Sequence, residues 1–147
     1  MALDYARFVR AQDPVWTNVI AELTLGAKQS HWMWFVFPQL RGLGSSEMSA
    51  FFGLSSLADA NDYLAHPILC ERLKEASALL LNQRGRSIEA VLGATDAQKL
   101  QSSMTLFSKT AGMADCATEV LETFFAGVTC DQTEARLAPT PETLPGE

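Results

Sequence analysis

The stretch "HWMWFVF", residues 31–37, holds two tryptophans and two phenylalanines, four of the thirteen aromatic residues in the chain. Its composition is strand-like. No segment of similar composition lies elsewhere to pair with it, and a lone strand leaves its backbone groups unpaired. We therefore read a short buried helix that ends before Pro38, where the ring restricts the preceding residue, and keep a strand as the alternative.

Outward from this stretch the pattern is helical almost throughout. Upstream, Asp4 can cap a helix in which Tyr5, Phe8 and Val9 share a face. Asp13 before Pro14 reads as an N-cap followed by the first helical residue, and Gly26 as the stop of the helix they open. Downstream, Ser56 and Asp59 have the spacing of a capping box. His66 and Pro67 open the clearest helix, whose apolar stripe is Ile68, Leu69, Leu73, Ala76 and Leu80, with Gly85 beyond its end. "SIEAVLG" closes at Gly93. Thr95 or Asp96 then caps a helix with Ala97, Leu100, Met104 and Phe107 on one stripe. Asp115 starts another, stopped by Gly127, and a last short helix spans roughly 132–138. The expectation is an all-α, compact single-domain bundle of about seven to eight short helices over residues 4–138. Residues 139–147, "PTPETLPGE", read as a flexible tail.

The chain has 147 residues, 48% of them hydrophobic and 19% charged, which suits one globular domain with a real core. Its net charge of −6 and the lack of a basic run argue against nucleic-acid binding. The longest apolar run has six residues, far short of a membrane span of about 20. The beginning "MALDYARFVRAQD" lacks the apolar region of a signal peptide, so a cytoplasmic protein is expected. Cys70, Cys116 and Cys130 are odd in number without paired spacing, so neither a disulfide framework nor a metal site is expected. His66 and Cys70 could share a helix face, but two groups make no metal centre. No cofactor is called.

"ELTLGAKQSHWMWFVFPQLRGLG", "YLAHPILCERL" and "GATDAQKLQSSMTLF", with "AQD" before them, resemble the bacterial family numbered eighteen-ten among the domains of unknown function. The similarity runs in order from about residue 4 to residue 127. The resemblance implies an all-helical single domain and carries no established activity. The chain departs from the family pattern after Gly44, where Glu47 and Met48 replace small polar residues.

Three constellations can carry chemistry. Lys28, His31, Trp32 and Trp34 combine a cation, a titratable base and two indoles. On a continuous helix Lys28, His31 and Phe35 would share a face, with Trp32 beside Lys28. An aromatic wall with a cation at its edge suits a flat anionic ligand, and histidine is the side-chain type suited to acid–base work near neutral pH, so His31 is the candidate proton carrier. The bland reading is that the aromatics fill the core. "RGLGSS", 41–46, offers Arg41 and backbone amides to a phosphate, or is simply a turn with Ser45 or Ser46 as a cap. In 99–105, Lys99, Ser102 and Ser103 share one helix face beside the apolar stripe, which points to a polar cavity or to close helix packing. Tyr63, His66 and Arg72 gather at a helix junction, where His66 reads as a cap.

Two functions follow. The first is a small-molecule protein, possibly enzymatic, for an anionic aromatic ligand of nucleotide or NAD type. Its site combines Lys28, Trp32, Trp34, Gln39, Arg41, Lys99, Ser102 and Ser103, with His31 catalytic and one tryptophan lining a cleft shared with Lys99 and Ser103. The second is a non-catalytic helical module that binds a protein partner through the aromatic segment; an exposed aromatic patch would favour it.

Overall fold

The computed structural model describes residues 4–44 and 46–138. The expected tail at 139–147 and the Ser45 cap lie outside them. The described residues are α-helical: α1 (Ala6–Gln12), α2 (Trp16–Leu25), α3 (Met33–Val36), α4 (Glu47–Phe52), α5 (Leu57–Ala65), α6 (Pro67–Leu81), α7 (Ile88–Leu92), α8 (Ala94–Phe107), α9 (Ala114–Phe125) and α10 (Asp131–Leu137). The aromatic stretch is helix: one turn, α3, with Phe37 after it and Pro38 next. A turn this short is not stable alone. It is held from below, because the Gln12 amide donates at 2.6 Å to the Phe35 carbonyl, one of the orphans at a helix end. Extended pairing among the described residues amounts to an isolated parallel bridge between Leu40 and Leu54.

Two helices form the axis of the packing. α6 touches α1, α2, α3, α5 and α9, and α8 touches α5, α7, α9 and α10. In α8 the six residues from Ser102 to Phe107 are all buried. Six in a row exceed a full turn, so this half of the helix is surrounded on every side. An aromatic chain runs from α3 through α4, α1 and α5 to this helix. Ring centroids run from Phe35 to Phe52 (5.3 Å), Phe52 to Phe8 (5.4 Å), Phe8 to Tyr63 (5.1 Å) and Tyr63 to Phe107 (5.8 Å). Edge and tilted contacts of this kind contribute about 0.5–1.5 kcal/mol each beyond the area they bury.

Most stop and start signals act as read. Gly26 is left-handed at φ +78°, and its amide and that of Ala27 close α2 on the Glu22 carbonyl. The Ser56 hydroxyl accepts from the Asp59 amide to open α5, and Pro67 is the first residue of α6. Asp13 behaves otherwise. Its backbone is helical, φ −51° and ψ −51°, and Asp13–Val15 is a 3₁₀ turn joining α1 to α2. Its carboxylate pairs with Arg72 at 2.8 Å instead of capping. Thr95 and Asp96 also lie inside a helix, since α8 starts at Ala94 straight after Gly93. α9 likewise begins one residue before Asp115. No apolar stripe announces α4, but the cap read in 41–46 does: Ser46 caps it through the Ser49 amide.

Candidate functional site

The site begins with how the chain leaves α2. After the Gly26 turn the Glu22 carboxylate gathers the next segment. It accepts from the Gln29 amide (2.8 Å), the Ser30 amide (3.0 Å), the Ser30 hydroxyl (2.6 Å) and the Trp32 indole N–H (2.9 Å). Burial pushes the Glu22 pKa up. The bonds from Ser30, Gln29 and Trp32 oppose it and win, holding the group at about 2. Lys28 is therefore presented by a pinned loop, not by a helix continuing into α3 as the i, i+3 reading supposed. Its own amide donates to the Val91 carbonyl at 2.8 Å, which ties this loop to the end of α7.

α8 starts at that same place. Its first turn carries Asp96, whose carboxylate lies 2.7 Å from the Lys28 ammonium and 3.4 Å from that of Lys99. The Lys28 side chain is only 6% exposed, while those of Asp96 and Lys99 are about one-fifth exposed. Each ammonium also sits over an indole: Lys28 is 4.9 Å from the Trp32 ring centre, Lys99 5.2 Å from that of Trp34. Such contacts add about 0.5–1 kcal/mol at exposed sites and more when desolvated. Two cations share one carboxylate, so the group carries a local charge of +1 within a chain of net charge −6.

Lys28, His31, Trp34, Asp96 and Lys99 line one cleft of about 310 Å³. His31 is exposed at its rim and Trp34 is half-buried. The Trp34 indole nitrogen is buried with no acceptor among the described residues. The N-terminus of α8 opens into the same cleft through Gly93, Ala94 and Thr95 and has no side-chain cap, which leaves backbone donors and the positive helix end there. Thr95 and Lys99 are also the wall of a neighbouring cleft of about 400 Å³, where Gln39 and Ser102 join them.

The remaining candidates lie elsewhere. Trp32 is fully buried and belongs to the core, not to a ligand wall; its one polar atom is spent on Glu22. Ser103 is fully buried too, so Lys99 and Ser103 do not act together, while Ser102 bonds the Thr133 hydroxyl at 2.9 Å and touches the second cleft. These serines serve close helix packing, because α8 is surrounded at this height. Arg41 is turned away. Its guanidinium donates to the carbonyls of Ala50 (3.1 Å) and Gly53 (3.3 Å) and borders a separate cleft with Arg136. "RGLGSS" is thus a turn and a cap: Gly42 gives its carbonyl to Arg136, and Ser46 starts α4. Tyr63 is buried against Gln12, and Arg72 pairs with Gln12 and Asp13, so this cluster is an internal network. His66 stands at the N-cap position of α6 without a side-chain cap bond. Asp96 and Thr95 escaped sequence reasoning because both were read as caps. The Asp96–Lys99 spacing of three was the available signal.

Among the described residues no three His, Cys, Asp or Glu side chains gather to hold a metal ion, and no helix is long and apolar enough to cross a membrane. A family model described as "Protein of unknown function (DUF1810)" matches residues 2–137. A conserved hypothetical protein of Mycobacterium tuberculosis, Rv1873, known from a crystal structure, is similar at 47% identity with a TM-score of 0.90. The similarity covers 93% of this chain and 98% of that one. No curated protein matches the chain.

Proposed function

We propose a function for a chain that belongs to the DUF1810 family: the cleft between the α2–α3 loop and α8 binds a small, flat, anionic molecule of nucleotide type. The observation that carries this reading is the convergence of Lys28 and Lys99, 71 positions apart in sequence, on one aspartate beside an aromatic wall. An isolated core plug gains nothing from that arrangement, since a largely buried cation costs free energy unless it has a partner or a task. Trp34 offers its indole to a base once the Lys99 ammonium moves from over the ring to the phosphate, and such stacking is worth about 1–3 kcal/mol for a nucleobase in nucleic-acid complexes. The Lys99 ammonium and the uncapped start of α8 supply positive charge for phosphate, with Lys28 held behind them by Asp96. His31, at the rim, is the residue we assign to proton transfer if the ligand is turned over. The partner-binding alternative loses its motive, because Trp32, Met33, Phe35, Val36 and Phe37 are all buried. We read the protein as cytoplasmic, which three free cysteines support.

The test is a thermal-shift screen with AMP, UMP, NAD and ribose 5-phosphate, repeated on Lys99→Ala. A ligand at a hundred times its Kd stabilises the fold by about 2.7 kcal/mol. Lys99 makes a partly exposed ion pair and one indole contact, each worth up to about 1 kcal/mol, so its loss should cost about 1–2 kcal/mol, or a few degrees, without ligand. The variant should melt near the wild type yet lose the ligand shift. A screen in which no phosphate-bearing aromatic compound moves the melting point overturns the reading.

A further inference from the structure

We infer, resting on that reading, that the ligand is two-headed: a nucleoside diphosphate carrying a sugar, with the base against Trp34, the phosphates over the ridge of Thr95 and Lys99, and the sugar in the second cleft. The two clefts are neighbours across one helix ridge. Thr95 and Lys99 stand four apart on α8 and line both, so an anion placed at the Lys99 ammonium has open volume on either side.

The two volumes differ in chemistry. The first has the indole. The second, of about 400 Å³, has no aromatic ring and no carboxylate among its described lining residues; Gln39, Gln98, Gln101 and Gln132 supply most of its polar side chains, against a wall that is more apolar than polar and includes Leu43 and Cys130. A surface meant only for water in a chain with 17 acidic residues would more often show some of them. Each glutamine carries an acceptor and two N–H donors. Gln101 spends one N–H on the Val128 carbonyl, which fixes its amide in place. A group that donates and accepts at every position, without charge, is what such a lining matches, and a sugar's hydroxyls do both. A second aromatic base would find nothing to stack on there, so a dinucleotide is the poorer fit. A bare mononucleotide leaves the larger cleft empty.

Gln98 and Gln132 are exposed on α8 and α10, so the double variant Gln98→Ala/Gln132→Ala leaves the core untouched. Titration calorimetry would compare ADP-glucose and UDP-glucose with AMP and UMP on the wild type and on this variant. We expect a sugar nucleotide to bind at least tenfold more tightly than its mononucleotide. The double variant should erase that advantage and leave mononucleotide affinity unchanged. If mononucleotides bind as tightly as their sugar nucleotides, or if the double variant changes nothing, the second cleft is not a sugar site, while the nucleotide reading of the first cleft stands. If neither class binds, both fall together.

Discussion

Glu22 accepts four hydrogen bonds and so fixes the loop that delivers Lys28. Its folded pKa, about 2 against an ordinary 4.5, lies below the unfolded value. The unfolded chain therefore binds the extra proton between these values, and the stabilisation is complete above pH 4.5 and fades as pH falls toward 2. Glu22→Gln removes the charge and weakens the bond to the buried Trp32 indole, so at pH 7 it should cost about 1–3 kcal/mol in denaturant melts. The gap between variant and wild type should close in acid; a gap that stays constant from pH 7 to pH 2.5 would refute the assignment. None of this was legible in the sequence. Glu22 reads as an exposed position on a helix, and its partners come from a loop whose path no periodicity describes. That one of Trp32 and Trp34 lines the cleft was readable; which one was not, because only the turn geometry of α3 separates two identical residues two apart.

At the level of elements, the apolar periodicity was enough to place most of the long helices, because each buries one stripe or more; Gly26 stops α2 and Pro67 opens α6, whereas α8 ends at Ser108 with neither residue. What escaped were features set by contacts across the chain. Asp13 looked like a cap and is instead the counter-ion of Arg72, 59 positions away. α4 is six residues long and polar at its start, so its existence rests on Phe52 entering the aromatic chain. The segment after α4 returns to the chain before it through the bridge of Leu40 and Leu54, with the Leu54 amide on the Gln39 carbonyl at 2.9 Å and the Arg41 amide on the Leu54 carbonyl at 2.7 Å. Gly53 makes that approach feasible. Its φ of −68° suits any residue, so the demand is for space: a Cβ there would sit 2.6 Å from the Arg41 Cα and 2.8 Å from the Ser49 carbonyl oxygen. Both are backbone and cannot swing away. Gly53→Ala should therefore destabilise by about 1–3 kcal/mol, the usual range for overpacking. Amide exchange of Leu54 should accelerate with it. Wild-type stability and unchanged Leu54 protection would show that this crossing is slack.

Across the whole molecule, Lys28 and Asp96 join the first quarter of the chain to the start of the central helix. The all-α architecture was readable from pattern, and so was the idea that the two lysine motifs share a cleft; the aspartate between them was not, since a residue at a helix start has a simpler explanation as a cap. Its burial makes the pair consequential. Lys28 is 94% buried, from a side-chain exposure of 6%, so its ammonium relies on Asp96 and the Ser30 carbonyl for the solvation that water no longer gives. Asp96→Asn keeps the shape and removes the charge. Because Asp96 is itself 19% exposed, the cost should lie at or below the range for a fully buried pair, about 2–4 kcal/mol. Lys28→Met removes the stranded cation and keeps the apolar stem over Trp32, so the double variant Lys28→Met/Asp96→Asn should be more stable than Asp96→Asn alone. The coupling energy in the cycle should reach about 1–3 kcal/mol. Lys99, farther from the carboxylate at 3.4 Å and more exposed, should couple to Asp96 by less than about 1 kcal/mol. That ordering follows from placing Lys28 as the structural cation and Lys99 as the one free to meet a ligand. Equal coupling of both lysines, or additive single variants, would remove the distinction, and with it the reason to expect that Lys99→Ala silences binding without loosening the fold.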